Sequence, residues 1–395
     1  MSGAEFPTGW CGQSPPDPNG CDSDVRARLY KQMGALSNFK GLEPHVASMN
    51  DLPIEVVFDR ALRECKTRYS GRQDPEKLDP PYRQLACDLR DHMNRVYETQ
   101  FDRVEGSGAR VLYFDFIDSS STNAIAFRRD EYAFIGVTAG FLNRANEVCY
   151  AICHDPTAIP ALGLSPSDEA YAVRIFTVLF SILLQFVAAH ELGHHFHGHV
   201  GYASVQGRSV LEEMADPNAP GETRAENCHV AEIEADGYAV KVVLTNASQN
   251  GPKIAIASLL GCILSDPALD GIIERLFLAA VIGYFHVLPQ PSFTPDTVGT
   301  LSHPPRLVRL NFLIRGVQAW RAETKHRNAE WPTDREFAEF GTSIARALDP
   351  VAGVTWEEQS SFVLSEAGKQ YIQRIGNSTA LLREKMKDFQ WRLKS

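Results

Sequence analysis

The chain has 395 residues, enough for two or three packed units and too long for a mini-protein that depends on disulfide staples. Hydrophobic residues make up 44% and charged residues 22%, which excludes wholesale disorder. Asp and Glu number 49 against 39 Lys and Arg, a net charge of -10, the wrong sign for a surface that tracks phosphates; nucleic acid is not an expected partner.

Residues 1–22 are rich in Gly, Pro and Ser, have no periodicity, and read as a flexible tail. They open with neither a basic run nor an apolar one, so no secretory signal is expected; the eight cysteines are then reduced thiols of a cytoplasmic protein. From residue 23 to 105 the pattern is helical, clearest where Leu85, Leu89, Met93 and Val96 recur after the break at Asp79–Pro81. The texture changes at Gly106–Gly108. Val111–Ile117 is β-branched and aromatic, and Ala124–Phe127 and Tyr132–Thr138 flank the polar turn RRDE as a hairpin does. The most apolar stretch, Ile175–Ala189, is fifteen residues long and includes Thr177, Ser181 and Gln185; a bilayer needs about 20, so a buried core helix and no membrane span are predicted. Helical spacing then dominates, interrupted at about Tyr202–Asn227 and Pro289–His303. The long polar break between helices is of the kind that forms lids. The fold class is α+β, a small sheet packed on a mainly helical bundle.

The apolar helix ends in His190-Glu191-Leu192-Gly193-His194. Residues four apart share one helix face about 6 Å apart, so both imidazoles reach one ion at zinc–nitrogen distances of about 2.0–2.1 Å. Glu191, about 100° around the helix, lies beside the metal's open position, where a carboxylate acts as base on a bound water. A catalytic site needs a third protein ligand. Downstream, Glu232-Ile233-Glu234-Ala235-Asp236 stands in an apolar-periodic segment from about Cys228 to Leu244, a second helix on which Glu232 and Asp236 share a face. Glu232 completes a His/His/Glu set, and Asp236 accepts the far N–H of a ligating imidazole; Glu234 points elsewhere, although spacing alone leaves it open as a ligand. His303 precedes Pro304 and Pro305 and stands at the start of a helix carrying Leu307, Leu310, Ile314 and Val317. There a neutral imidazole can donate to an oxyanion, but a histidine before two prolines is also an ordinary loop residue; Arg309 is either functional or a salt bridge that holds the loop.

The metzincin pattern HExxHxxGxxH needs Gly at 197 and His at 200, where this chain has His197 and Val200. His195, His197 and His199 are therefore read as helix-end residues. Cys149, Cys153 and His154 lack a matching second pair and are read as core thiols with a neighbouring histidine; Cys228 and His229 are read as packing or capping residues.

Four motifs in order resemble the gluzincin metallopeptidases of the HtpX and CAAX prenyl-protease type, including their soluble minimal relatives. Asn123-Ala124-Ile125-Ala126 and Ile135-Gly136-Val137-Thr138-Ala139-Gly140-Phe141-Leu142 look like the family's NAxA strand and its strand-to-helix turn, with Phe141 where Leu is usual. HELGH and EIEAD match its metal helices, and His303-Pro304-Pro305-Arg306-Leu307-Val308-Arg309 its HPPxxxR segment. The resemblance implies a zincin-like domain at 106–325, flanked by helical segments at 23–105 and 326–395. It implies one Zn2+ per chain with Glu232 as third ligand, and His303 or Arg309 facing the oxyanion. It also implies an edge strand at Asn123, Ala124, Ile135, Gly136 and Val137 that aligns an extended protein or peptide substrate. The activity implied is that of a soluble zinc endopeptidase; a zinc hydrolase of a non-peptide amide and a catalytically idle metal-stabilised interaction module are the alternatives.

Overall fold

The computed structural model describes residues 52–64, 69–106, 108–165, 168–205, 221–263, 268–288, 293–301, 303–324, 334–348 and 356–393. The expected tail at 1–22 and residues 206–220 of the polar break lie outside them. The described ends of that break are helical: one helix runs on through Tyr202 to Val205, and the next starts at Gly221 rather than near Cys228.

Helices α1 (Ile54–Glu64) and α2 (Pro80–Gln100) precede a short strand β1 (Val104–Glu105) and the three strands β2 (Val111–Ile117), β3 (Ala124–Arg129) and β4 (Tyr132–Thr138). The predicted hairpin is present, with Ala124 opposite Val137 and Arg129 opposite Tyr132; at its tip Asp130 takes a positive φ of 50°, which an Asp tolerates. Strand β2 joins on the other side of β4 in parallel, Val111 beside Tyr132 and Ile117 beside Thr138, so the order is β2-β4-β3. This overturns one expectation. Ile135, Gly136 and Val137 lie on the central strand, bonded on both flanks, and cannot accept a substrate as a further strand.

Both faces of the sheet are covered, which explains why VLYFDFI is nearly continuous in apolar residues rather than alternating. Phe58 and Leu62 of α1 pack on Ile117, Ile125, Phe127 and Phe134, while Leu112, Phe114, Phe116, Ile135 and Val137 face the main core. Asn94 of α2 caps the outer edge of β2, its amide donating to the Phe114 carbonyl and accepting from the Phe114 N–H, each at 2.8 Å. The described part of the N-terminal flank, from residue 52 on, is therefore built into the sheet layer.

Thr138 ends β4 and caps α3 (Ala139–His154), its hydroxyl accepting from the Phe141 N–H. After the short α4 (Ala158–Ala161) comes the central helix α5 (Glu169–Phe196), started by Asp168, whose side chain accepts from the Tyr171 N–H. Among the described residues α5 alone is long and apolar enough to cross a bilayer, and 67% of that window is buried inside the protein. It packs against α3, α7 (Gly221–Ala247) and α9 (Ala268–Val287). Short helices α6 (His199–Val205) and α8 (Asn250–Leu260), then α10 (Arg306–Thr324), α11 (Asp334–Leu348), α12 (Trp356–Leu364) and α13 (Glu366–Met386) complete the bundle. The chain returns to the sheet side, where β5 (Arg392–Leu393) pairs with β1 and the Trp391 N–H donates to the Phe196 carbonyl at the end of α5.

Candidate metal centre

Helices α5 and α7 cross closely at the HELGH segment because residue 193 has no side chain. A Cβ there would lie 3.0 Å from the Ala235 Cα and 3.2 Å from its carbonyl oxygen. The close crossing brings Glu232 against both imidazoles. His190 Nε2 and His194 Nε2 are 3.1 Å apart, and they lie 3.4 and 3.5 Å from the two carboxylate oxygens of Glu232. A tetrahedral ion with bonds of about 2.0–2.1 Å separates its ligand atoms by about 3.3–3.4 Å. Each separation is close to the edge of a zinc tetrahedron, with the two imidazoles facing different carboxylate oxygens, and one ligand atom from each of the three residues lies within 4.8 Å of the others. Among the described residues this triangle is the one group of three His, Cys, Asp or Glu side chains whose ligand atoms converge in this way. Cys149 and Cys153 are buried free thiols of the core, as expected.

The His190 side of the triangle is held by charge. His190 Nδ1 is 2.9 Å from Asp236 Oδ1, and a carboxylate only accepts, so Nδ1 carries the proton and Nε2 faces the triangle. Arg309 forks onto Asp236 at 2.8 and 2.7 Å and lies 3.3 Å from Glu232 with its third nitrogen. Its guanidinium is buried, over the rings of Phe285 and Tyr284 at 4.9 and 5.5 Å. In this geometry Arg309 positions Glu232 and Asp236; it corresponds to the salt-bridge alternative rather than to a group facing the oxyanion.

Burial pushes the Glu232 carboxyl up, but the charges of His303 and Arg309 and the bonds from both imidazoles outweigh it and hold the group well below the usual range. Asp236 is likewise kept ionised against burial by Arg309 and His190. Burial alone lowers the basicity of His190; its bonds to Asp236 and Glu232 reverse this and raise its pKa to about 9. His194 is driven down to about 3 by burial and by the neighbouring His190, against the pull of Glu232.

Glu191 is 6% exposed and close enough to Tyr284 to push that phenol's pKa up, together with burial, the largest cause. His303 is the exposed group at the mouth, 48% open to solvent with Nε2 at 3.9 Å from Glu232. It stands just before α10, whose first bonds run from the Val308 and Arg309 N–H groups to the Pro305 carbonyl. At the sheet, Asn123 gives its amide to the Tyr69 hydroxyl at 2.9 Å and exchanges backbone contacts with Thr138, while Ala124 opens the edge strand β3.

Several residues near the ligands were read only as packing or as helix ends. His195 is buried, bonds the Phe134 carbonyl at 3.1 Å and stacks on Trp391. His199 is fully buried with Nδ1 at 2.9 Å from His194 Nδ1 and Nε2 at 3.3 Å from Glu234. Spacing along one helix would not bring 194 and 199 together. The chain turns at Gly198, φ +80°, and a new helix starts at His199. His229 donates to the Leu301 carbonyl at 2.8 Å and accepts from the Tyr371 hydroxyl, tying α7 to the segment before His303 and to α13.

Residues 150–329, somewhat under half of the chain, match the family model Peptidase U49. The match spans both metal helices, His303 and Arg309, and leaves out the sheet and α13. It supports a peptidase. No curated protein and no solved structure matches the chain.

Proposed function

We propose that this chain is a zinc-dependent endopeptidase of the gluzincin type, similar to the HtpX and CAAX prenyl-protease group. The single observation that carries the reading is the tetrahedron-sized triangle of His190, His194 and Glu232, with Glu191 one residue along the same helix. One zinc ion per chain would be held by these three groups and, when bound, supplies Lewis-acid polarisation of a scissile carbonyl.

The chain's own residues do the rest. Glu191 takes a proton from the attacking water and passes it to the leaving amine, so no acyl-enzyme forms. His303, at the mouth, donates to the carbonyl oxygen as negative charge develops there. Arg309 and Asp236 keep Glu232 ionised and His190 in the ligating tautomer. Strand β3, starting beside Asn123 and Ala124, is the edge left for an extended peptide, since β4 is internal and β2 is capped by Asn94. Main-chain pairing of this kind gives affinity with loose sequence preference.

The expected result for Glu191→Gln is one zinc per chain with turnover lowered by about 10²–10⁴-fold, whereas Glu232→Ala loses the metal as well. Metal analysis of both variants, with cleavage profiling of a peptide library against wild type, tests the reading. Undiminished cleavage by Glu191→Gln removes that residue as base, and full zinc occupancy in Glu232→Ala removes the third ligand.

A further inference from the structure

The proposal for the His194 side rests on the metal-centre reading above and adds to it one residue, Arg383, from outside the segment that matches the peptidase family model. We propose that His199, Glu234 and Arg383 form a positioning chain that fixes the tautomer and ring orientation of His194, which makes helix α13 part of the metal centre.

The direction of each hydrogen bond follows from what the atoms can do. Glu234 lies between two donors: its Oε1 accepts from Arg383 Nε and its Oε2 faces His199 Nε2 at 3.3 Å. A carboxylate has no proton to give, so His199 Nε2 carries the hydrogen. With the one ring proton of His199 held at Nε2 by Glu234, its Nδ1 accepts, and the imidazole facing it at 2.9 Å, His194 Nδ1, is the donor. That leaves a lone pair on His194 Nε2, directed at His190 and Glu232. The opposite tautomer of His199 would turn the whole row around and place a proton on His194 where a cation has to sit.

The chain is built rather than incidental. The His199 side chain is fully buried and that of Glu234 is 2% exposed, and a buried carboxylate without a cation is costly. The cation comes from α13, whose Arg383 side chain remains 58% open to solvent. The same helix makes a second, independent connection, Tyr371 to His229 and on to the Leu301 carbonyl, one residue before the Ser302-His303 pair. Glycine at 198 makes the geometry possible, because its positive φ folds His199 back under His194 and a Cβ there would lie 2.8 Å from the Phe389 backbone.

The test uses the full chain labelled with 15N-histidine. Zinc dissociation constants come from chelator competition, and long-range proton–nitrogen NMR correlations report the tautomer of each ring. Wild type is expected to bind one zinc with the proton of His194 on Nδ1 and that of His199 on Nε2. Loss of a group behind a ligating histidine typically costs about 10–100-fold in metal affinity, and Glu234→Ala should fall in that range with the His199 tautomer redistributed. Arg383→Gln, at a side chain 58% open to solvent, should shift both readouts in the same direction by less, and Arg383→Lys should restore them. Unchanged zinc affinity and tautomers in Glu234→Ala and Arg383→Gln overturn the chain while leaving the metal site standing. Wild-type protein that takes up no zinc overturns the metal site itself, and the chain with it.

Discussion

The two imidazoles of the candidate metal centre are held by supports of opposite character. Behind His190 stands a carboxylate, gripped by a guanidinium in a dry pocket of aromatic rings, all within the fold's interior. Behind His194 stands another imidazole, then a carboxylate, then an arginine at the surface. The first support is short and fully charged; removing either partner strands the other in a medium that cannot solvate it. The second is longer, begins with a neutral link, and ends where water screens its last charge. One side of the centre should therefore be decided by the integrity of the fold, the other by local order on α13.

The largest expected effect breaks the first support. Asp236→Ala leaves Arg309 and His190 without their shared partner, and breaking a buried pair in this way costs about 3–5 kcal/mol; urea unfolding of the variant should show a loss of that size. A loss below 1 kcal/mol would mean that Arg309 finds another partner and that the contrast between the sides is false.

His303 belongs to neither support and should separate catalysis from holding. Removing one oxyanion donor typically costs about 10²–10³-fold in kcat, so His303→Ala should lose activity on that scale with zinc content and stability intact. Parallel loss of zinc would place His303 in the centre's scaffold instead.

Acid should act on the fold that carries both sides, because three histidines outside the metal triangle are buried and neutral. Burial drives His195, His229 and His286 each down to about 4. The unfolded chain takes up these protons near pH 6.5 and the folded chain only near pH 4, so between those values the unfolded state binds more. Their contribution to stability is complete above about pH 6.5 and is lost as the pH falls towards 4. The slope approaches about 1.4 kcal/mol per pH unit for each histidine. Denaturant midpoints measured from pH 7.5 to 4 check the window; a flat profile would show that these rings titrate normally.

The smallest effect concerns the outer end of the second support. Arg383 is 58% exposed but its partner Glu234 only 2%, so Arg383→Gln should cost more than the about 0–1 kcal/mol of an exposed pair and less than the about 3–5 kcal/mol of a fully buried one. Added salt should weaken zinc binding in wild type more than in the variant. Equal salt dependence would detach the surface charge from the metal.

Much of this centre was legible in the sequence because its parts are local. The spacing in HELGH and EIEAD places both imidazoles on one helix face and both carboxylates on another, and the structure brings His190, His194, Glu232 and Asp236 together accordingly. The three strands were also legible, since β-branched and aromatic runs with a polar turn mark them directly. Their order was not. A hairpin fixes β3 beside β4, but only the long-range parallel pairing of β2 decides which of the two becomes central. His199 escaped for a related reason: a helical wheel continued through Gly198 puts it on the wrong side, and one residue of positive φ brings it back. Arg309 was left open between two roles because a sequence shows that a charge is near a motif but not which way the guanidinium forks.

The missing side chain at position 193 sets more than a contact between helices. The gap across which Glu232 reaches the two rings depends on how closely the two backbones approach, and a single methyl group would have to push the Ala235 main chain aside by tenths of an ångström. Such a shift is comparable to differences in ionic radius among divalent cations. A residue with no side chain to offer would thereby act as the gauge by which the proposed site sorts one metal from another.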